Sequence, residues 1–406
     1  MKYKKLNHCL CCNSDKLFLI LDLGEQPLAN SYHKGEKLEK YPNQLNLCLD
    51  CYHSQLSIAV NPDEMFKNYL YVSGTSSTGR EYFEWLSNYL YTKYCNKNNP
   101  KPLKILDIAC NDGSQLECFK KYNCELYGVD PAENLAQISK EKGINLTVGY
   151  WGENIANSLP LMDFIIAQNV LAHNDYPQEF LKCCKKIMNE NTILIVQTSQ
   201  ANMFLNNEFD TVYHEHISFF SARSMEALTK NAGLEIIDVF KPSIHGTSYV
   251  FVIKRIDPNK TSPSKSLDYL IEKEHEEGRY DVAYYEKFSN FAKYVVSNLK
   301  IKIEEYKQKG YKIVGYGAAG KGITLLNFGN IKLDYIVDDN ELKWGLKTPG
   351  MDIDVKNPNE LEKESGNICI IPLAWNFFDE IRKKVKLRRR NKDDIFILYF
   401  PKISVV

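Results

Sequence analysis

The densest group of reactive side chains lies in the segment FDTVYHEHISFFS (residues 209–221), where Tyr213, His214, Glu215 and His216 are consecutive. A carboxylate beside an imidazole orients the ring and raises its basicity, which suits a general base working near neutral pH. In an extended chain His214 and His216 would share one face, whereas a turn would bring all four side chains toward one cleft. A His-x-His metal pair and a structural polar cluster remain open as alternatives.

A further histidine lies in the segment QNVLAHNDYP (residues 168–177), which follows a predicted strand at residues 164–167. Asn169 and His173 are therefore expected at the carboxyl edge of that strand, where ligands bind in open α/β sheets. A single histidine is more often structural than catalytic. Its predicted place at the rim weakens this preference for a structural role, so His173 stays a candidate site residue.

A ligand-binding turn is predicted earlier, in ILDIACNDGSQL (residues 105–116), where an apolar strand leads through small residues into a helix. The expected contacts are Asp107, Ala109, Asn111 and Gly113. The turn has one glycine and two acids, so it disfavours a pyrophosphate and suits a ligand with a cationic end. The next strand ends at Asp130, placed to accept hydrogen bonds from a ribose. A cationic amino acid joined to an adenosine ribose is S-adenosylmethionine, and the motif resembles that of class I methyltransferases. An ordinary βαβ unit is the alternative.

Cysteine spacing near the N-terminus predicts a structural metal site. The chain contains two CxxC knuckles, formed by Cys9 with Cys12 and by Cys48 with Cys51, 35 residues apart. Four thiolates complete a tetrahedral Zn²⁺ shell and leave no position for substrate. Unrelated buried cysteines are the alternative, and Cys11 competes within the first knuckle. His8 and His53, which flank the knuckles, are predicted to be surface residues.

Two further segments have the composition of binding loops. The run SGTSS (residues 73–77) exposes hydroxyl and backbone donors, so Ser73 and Thr75 are candidates for sugar or phosphate contacts, although a linker is equally compatible. After a charged helical region (residues 266–309) interrupted near Gly278, the segment YKIVGYGAAGKG contains Gly315, Gly317 and Gly320 in a GxGxxG pattern. Taken alone, this pattern predicts an NAD site.

Composition excludes several classes of protein. The chain has 406 residues, enough for two or three domains, and 51 basic residues balance 51 acidic ones. A net charge of zero removes the main argument for a nucleic-acid partner. The chain has no apolar stretch of the roughly 20 residues that a membrane span needs. The N-terminus also has no apolar segment typical of a signal peptide, so we expect a cytoplasmic protein.

The order of these motifs resembles that of the nucleotide-sugar C-methyltransferases, which include the C-3 methyltransferases of dTDP-4-keto-deoxysugars. The shared features are CxxC…CxxC, YLYVSGTS, the cofactor motif, NVLAH, YHEHISFFS and GYGAAGKG, over essentially the whole chain. The resemblance implies that His216 is the base that removes the C-3 proton of a 4-keto sugar. Tyr213 and Glu215 would assist it, His173 would lie beside the site, and Tyr71, less favourably Tyr69, would face the sugar.

The resemblance further implies that the C-terminal domain holds the nucleotide of the sugar substrate, which we favour over NAD because the diphosphate needs a binding site. Gly317, Lys321 and Asp338 are the expected contacts there.

The predicted fold is α/β in three parts. A small four-cysteine zinc module covers residues 1–75, a class I methyltransferase Rossmann-like domain covers residues 76–256, and a C-terminal helical plus Rossmann-like domain covers residues 257–406. The predicted function is S-adenosylmethionine-dependent methylation at C-3 of a 4-keto sugar nucleotide through an enolate, by a monomer or homodimer. Methyl transfer to oxygen or nitrogen of a related sugar nucleotide, and a non-catalytic scaffold, are the alternatives.

Overall fold

The computed structural model describes residues 2–66, 77–95, 101–242, 244, 247–257, 264–390 and 392–406. Tyr69, Tyr71, Ser73 and Thr75, which the sequence places near the sugar, lie outside these ranges. Within the described ranges, no helix is both long enough and apolar enough to cross a membrane.

The N-terminal part forms two small antiparallel sheets. Its elements are β1 (Tyr3–Lys5), β2 (Leu17–Gln26), β3 (Tyr41–Cys48), β4 (Ser54–Leu56), β5 (Ile58–Val60) and a short helix α1 (Asp63–Phe66). Strand β1 pairs with β5, and β2, β3 and β4 pair in sequence. Alternate residues of β3, including Leu45 and Leu47, are fully buried, because one face of the sheet is covered and the other is partly open.

The central part is a seven-stranded sheet with helices packed against it. Its elements are α2 (Ser77–Tyr94), β6 (Leu103–Ile108), α3 (Ser114–Glu117), β7 (Cys124–Asp130), α4 (Ala136–Glu141), β8 (Asn145–Val148), α5 (Glu153–Ser158), β9 (Met162–Gln168), α6 (Pro177–Lys186), β10 (Met188–Thr198), β11 (Ser218–Phe219), α7 (Ala222–Asn231), β12 (Leu234–Phe240) and β13 (Tyr249–Arg255). The strand order is β12-β13-β10-β9-β6-β7-β8, and the short β11 belongs to another sheet.

The central sheet is parallel from β8 to β10 and closes with the antiparallel pair β12 and β13. Strand β9 is apolar and buried at four consecutive residues, 164–167, because helices cover both faces. The chain leaves β6 toward β7 on one side and returns with β9 on the other. A crevice therefore opens at the carboxyl ends of β6 and β9, the usual ligand position in this architecture.

The C-terminal part repeats this plan on a smaller scale. Its elements are α8 (Lys265–Glu276), α9 (Val282–Gln308), β14 (Lys312–Tyr316), α10 (Gly320–Gly329), β15 (Tyr335–Val337), β16 (Val355–Lys356), β17 (Ile368–Pro372), α11 (Phe378–Arg388), β18 (Ile395–Leu398) and β19 (Ser404–Val405). The strand order is β16-β15-β14-β17-β18-β19, and only β19 is antiparallel to its neighbour. Gly278, with φ of +79°, lies between α8 and α9 as expected.

Short 3₁₀ helices connect several of these elements. They span Glu133–Leu135, Leu171–His173, Phe209–Thr211, Glu341–Lys343, Pro358–Lys363 and Trp375–Phe377. One of them, Phe209–Thr211, lies where the three parts of the chain meet. Phe209 belongs to an apolar cluster that also contains Leu45 of β3 and Leu325 of α10. The mixed α/β fold with two Rossmann-like sheets and an N-terminal cysteine cluster is therefore confirmed, while the boundaries after residues 75 and 256 stay predictions.

Candidate active site

The four knuckle cysteines converge at one point. The sulfur atoms of Cys9, Cys12, Cys48 and Cys51 all lie within 4.8 Å of one another. The Sγ atoms of Cys9 and Cys51 are 3.5 Å apart, as are those of Cys12 and Cys48. Four sulfurs bound to one Zn²⁺ at about 2.3 Å would have separations close to these, so the set fits a structural tetrahedral site. Cys11 is also buried and its thiol contacts that of Cys9, but it is not one of the four sulfurs that all lie close to one another.

His53 is not the surface residue that the sequence predicts. Its ring is fully buried, and its Nε2 lies 3.1 Å from Oγ of Ser218. Ser218 belongs to β11, which pairs with β4 as the last strand of the N-terminal sheet. The segment of residues 209–221, called here the reactive segment, thus pairs with the zinc module two residues after His216. This contact joins residues far apart in the chain, so local sequence contains no signal for it.

The central turn at the end of β6 has an unusual backbone. Ala109, Asn111 and Gly113 have φ of +62°, +52° and +75°, and the first two are not glycines. A Cβ on Gly113 would lie 2.3 Å from Cδ1 of Ile144, so a side chain there would strain the backbone and displace Ile144. Left-handed residues at the mouth of a ligand crevice are typical of functional turns.

Acidic side chains hold the central turn in shape. The Asp130 carboxylate accepts the backbone N–H of Asn111 at 2.8 Å and that of Ala132 at 2.8 Å. A carboxylate has about four acceptor positions, so Asp130 can still accept a ribose hydroxyl. Burial, reinforced by the charges of Asp130 and Asp112, raises the pKa of Asp107.

The rim of β9 supplies a polar atom without a partner. Asn169 has φ of +53°, and its side-chain oxygen is buried with no hydrogen-bond partner in the described part of the chain. Such an acceptor at the mouth of the crevice fits the cationic end of S-adenosylmethionine, because an unpaired buried acceptor is costly unless a ligand satisfies it. Asp107, Ala109, Asn111, Gly113, Asp130 and Asn169 therefore lie around one crevice.

A buried polar network borders this crevice and has no counterpart among the sequence predictions. The Tyr82 hydroxyl donates to Oε1 of Gln197 at 2.8 Å, and Gln168 contacts both Gln197 and Gln115. Tyr82 is on α2, whereas Gln168 and Gln197 lie near the ends of β9 and β10. The glutamines on two apolar strands are a signal that sequence analysis could have used, since a buried polar side chain needs partners.

The reactive segment forms a turn, the second of the two arrangements considered from sequence. The backbone N–H of His216 donates to the carbonyl of Tyr213 at 2.8 Å, so these residues lie at the two ends of the turn. Their rings are 4.3 Å apart between centroids, and the ring of His173 lies 5.2 Å from that of His216. His214 turns away, with its Nε2 3.3 Å from the carbonyl of Pro42.

One ring nitrogen of His216 is fixed by the backbone. Its Nδ1 lies 2.9 Å from the carbonyl oxygen of Thr211, which accepts hydrogen bonds only. The Nδ1 atom therefore carries the proton, and Nε2 has a free lone pair. Burial, with a smaller contribution from the charge of His173, lowers the pKa of His216 to about 3. The ring is thus neutral near pH 7, the form that accepts a proton.

Glu215 lies at the junction with the N-terminal module. Its Oε1 accepts the side-chain N–H of Asn30 at 2.6 Å, and its backbone carbonyl lies 2.5 Å from Nδ1 of His173. Burial raises the pKa of Glu215 to about 7, although the Asn30 hydrogen bond opposes this shift. Burial also lowers the pKa of His173. Asn30 was not among the predicted residues, because no pattern marks a loop asparagine as a partner for a residue so distant in sequence.

The C-terminal glycine turn faces the same cluster. Asp338 Oδ2 accepts the backbone N–H of Ala318 at 2.5 Å, and Tyr32 of the N-terminal module donates its hydroxyl to the Ala318 carbonyl at 2.7 Å. A Cβ on Gly320 would lie 3.4 Å from the Tyr213 ring. Gly317, with φ of +87°, lies so close to the residues after β17 that an added Cβ would be 2.8 Å from the Cβ of Ala374.

Lys321, the residue after Gly320 in α10, places a positive charge near the reactive segment. Its Nζ is 3.7 Å from Oε2 of Glu208 and 4.6 Å from the centre of the Trp375 ring. Its charge also contributes to lowering the pKa of His216. The structure therefore brings Tyr213, Glu215, His216 and His173 together. They lie next to the turn that contains Gly317, which leads into α10 with Lys321 and is held by Asp338 at the end of β15.

Family comparisons divide the chain into three matched regions. Residues 9–66 match a zinc binding domain, residues 79–239 a methyltransferase domain, and residues 243–401 the C-methyltransferase C-terminal domain. The C-methyltransferase NovU of Streptomyces niveus is 25% identical over 395 residues, which cover 93% of this chain and 92% of that protein. The human mitochondrial ubiquinone biosynthesis O-methyltransferase is 26% identical over 165 residues, which cover 35% of this chain and 44% of that protein.

Among solved structures, magnesium protoporphyrin IX methyltransferase from Synechocystis, with bound SAH, has a TM-score of 0.35 and 14% sequence identity. The match covers 44% of this chain and 83% of that protein.

The central sheet, its crevice and the matched methyltransferase domain define the chain as an S-adenosylmethionine-dependent methyltransferase with a zinc-binding module. Along nearly its whole length the chain is also similar to a C-methyltransferase, and its last matched region is the C-methyltransferase C-terminal domain.

Proposed function

We propose that this enzyme methylates C-3 of a 4-keto sugar nucleotide, after forming an enolate of the sugar. The observation that carries the proposal is the fixed His216 ring, whose Nδ1 faces the Thr211 carbonyl and whose Nε2 is left as a base. An oxygen nucleophile already has a lone pair and needs little more than orientation. A carbon atom must first lose a proton, so C-methylation requires a base next to the substrate.

In the proposed reaction, Nε2 of His216 accepts the C-3 proton, and the electrons of the broken C–H bond move onto the C-4 oxygen. Negative charge developing on the substrate favours the protonated imidazole, so it raises the pKa of His216 during the step. The hydroxyls of Tyr213 and Tyr71 are the proposed donors to the enolate oxygen. Bound S-adenosylmethionine supplies the electrophilic methyl group. Glu215 and His173 then serve as assisting residues, because Glu215 directly precedes His216 and the His173 ring lies 5.2 Å from the His216 ring.

Asp107, Ala109, Asn111, Gly113, Asp130 and Asn169 are the residues proposed to hold the cofactor. Their support is the crevice between β6 and β9, with an unpaired acceptor at Asn169 and a carboxylate at Asp130. The acidic turn favours a cationic methionine group over a phosphate.

The nucleotide of the sugar is proposed to bind near the C-terminal turn, with contacts from Gly317, Lys321 and Asp338 and with Ser73 and Thr75 on the sugar side. Lys321 is partly exposed, and its ion pair with Glu208 is long at 3.7 Å, so a phosphate could replace that partner. The same turn lies against Tyr213, so one substrate molecule could reach both the proposed nucleotide site and the proposed base, His216.

The test uses purified enzyme, S-adenosylmethionine and a panel of 4-keto sugar nucleotides, with the matching 4-hydroxy compounds as controls. We expect a gain of one methyl group by mass only with the ketones, and carbon attachment by NMR. His216→Asn should abolish transfer without changing cofactor binding. His214→Asn, which removes the neighbouring ring that faces Pro42, is the matched control and should retain most activity. Methylation of oxygen, or of the 4-hydroxy compounds, would refute the proposal.

A further inference from the structure

The carbonyl that fixes His216 belongs to the short helix Phe209–Thr211, and this helix is attached to the C-terminal domain through Asp210. The Asp210 side chain is fully buried. Its Oδ2 accepts the indole N–H of Trp375 at 2.8 Å and the hydroxyl of Tyr399 at 3.3 Å. Its Oδ1 has no hydrogen-bond partner within the described ranges.

A buried carboxylate of this kind is expensive, because burial removes its hydration and one oxygen remains unpaired. Burial raises the pKa of Asp210 to about 6, against the opposing effect of Lys321 and the Trp375 hydrogen bond. The group is therefore mainly ionised at pH 7, and its bond to Trp375 is charge-assisted, shorter and stronger than a neutral one. An apolar residue would pack this position more cheaply, so the position of the carboxylate requires another explanation.

We propose that Asp210 is a positioning residue for the proton-abstraction step. By binding Trp375 it holds the helix Phe209–Thr211 in place, so that the Thr211 carbonyl keeps the proton on Nδ1 of His216 and leaves Nε2 free. The proposal rests on the proposed role of His216 as the base. The C-terminal domain would thereby help to set the tautomer of His216. Trp375 donates a hydrogen bond to Asp210, and the carbonyl of the next residue, Thr211, accepts one from His216.

Trp375 also connects these contacts to the proposed nucleotide site. It begins the 3₁₀ helix that follows β17, at the carboxyl edge of the C-terminal sheet, and the Lys321 cation lies over its ring. A phosphate that binds Lys321 would therefore act next to the residue that anchors Asp210. Substrate bound on the nucleotide side would then stabilise the arrangement in which His216 acts as a base.

The test compares Asp210→Ala, Asp210→Asn and Trp375→Phe by the rate of hydrogen exchange at the substrate carbon. We expect Asp210→Ala to lower this rate by about 100-fold, the effect of a displacement near 1 Å in an active site, with an unchanged KM for S-adenosylmethionine. Asp210→Asn keeps an acceptor for the indole N–H, so we expect a loss of about 10-fold or less. Trp151→Phe, which removes an indole N–H donated to the Phe180 carbonyl, is the matched control and should have full activity.

A readout independent of activity is the tautomer of His216, measured by NMR on protein with ¹⁵N-labelled histidine and assigned with His216→Asn. Wild-type protein should show the proton on Nδ1, whereas Trp375→Phe and Asp210→Ala should show a mixture of tautomers. An unchanged tautomer in both variants, or a rate loss that only follows the loss of folded protein, would overturn the role of Asp210. Failure of His216→Asn to stop exchange would instead overturn the proposed base, so the two failures are distinct.

Discussion

The two Rossmann-like sheets of this protein build the same local device at their switch points, in different surroundings. In each, a strand leads into a turn, and an acid at the end of the next strand accepts a backbone N–H of that turn. Asp130 accepts the N–H of Asn111 at 2.8 Å in the central sheet. Asp338 accepts the N–H of Ala318 at 2.5 Å in the C-terminal sheet. The shared geometry alone therefore does not distinguish their functions.

The neighbours of the two turns differ. The central turn is packed by its own domain, since Ser139 donates to the Asn111 carbonyl and Ile144 lies beneath Gly113. The C-terminal turn is packed by other parts of the chain, because Tyr32 donates to the Ala318 carbonyl and Tyr213 lies against Gly320. The first turn borders a crevice suited to the methyl donor, and the second contacts the reactive segment. Four predictions test this contrast.

Removal of zinc should have the largest effect on activity, and it should disturb the reactive segment without disturbing the central turn. Cys51 leads into β4, and β4 pairs with β11 just after His216, so loss of the metal should displace the base. We expect methyl transfer to stop while binding of S-adenosylhomocysteine to the central turn persists. Metal analysis, titration calorimetry and a transfer assay after chelation would check this, with activity restored by added Zn²⁺. Normal transfer by zinc-free protein would contradict the account.

Replacing each turn-holding acid should separate the two sites. Asp130→Ala removes two hydrogen bonds to a carboxylate, worth about 3 kcal/mol together, so we expect S-adenosylmethionine affinity to fall by about 100-fold.

Asp338→Ala should leave that affinity unchanged and raise the KM for the sugar nucleotide. Calorimetry with the cofactor and steady-state kinetics with the sugar nucleotide measure the two effects. Equal losses of cofactor affinity in both variants would remove the distinction between the turns.

Glycine replacements test how tightly each turn is packed. Gly113→Ala and Gly317→Ala introduce a Cβ 2.3 Å and 2.8 Å from a neighbouring carbon, at positions with positive φ. We expect the free energy of unfolding to fall by about 1–3 kcal/mol in each, by strain and overpacking. Gly310→Ala, also at positive φ but in open space, is the control for backbone strain alone. Its free energy of unfolding should fall by less. Denaturant titration measures all three, and identical values would refute the packing argument.

The smallest effect concerns Glu215, in the segment that covers the C-terminal turn. Burial raises the pKa of Glu215 to about 7 in the folded state, so the folded protein holds a proton that the unfolded chain releases. This group therefore stabilises the fold at low pH, and its contribution is lost as pH rises through about 7.

Between pH 6 and pH 8 the wild-type free energy of unfolding should fall by about 1 kcal/mol relative to Glu215→Gln. Denaturant titrations of both proteins across this range are the measurement. A difference independent of pH would show that Glu215 does not titrate there.

Local spacing was sufficient to predict the parts of the site whose residues are close in sequence. The CxxC knuckles converge as expected, because two short pairs need only one hairpin to meet. The strand, turn and helix around Gly113 follow from an apolar run that ends in small residues.

Contacts between distant segments were not predictable from one sequence. The two-residue strand β11 joins the N-terminal sheet, and this pairing buries His53, which was expected at the surface. Asn30 and Asp210 reach Glu215 and Trp375 across more than a hundred residues. Nothing in their local sequence marks these residues, because their partners are chosen by the packing of the three parts.

The most direct test of the account is deuterium wash-in at C-3 of a 4-keto sugar nucleotide, in D₂O with S-adenosylhomocysteine in place of the methyl donor. If His216 removes hydrogen from carbon before methyl transfer, the wild-type enzyme should introduce deuterium at C-3, and His216→Asn should not. Methyl transfer by wild-type enzyme without any such exchange, or undiminished exchange by His216→Asn, would contradict the central claim.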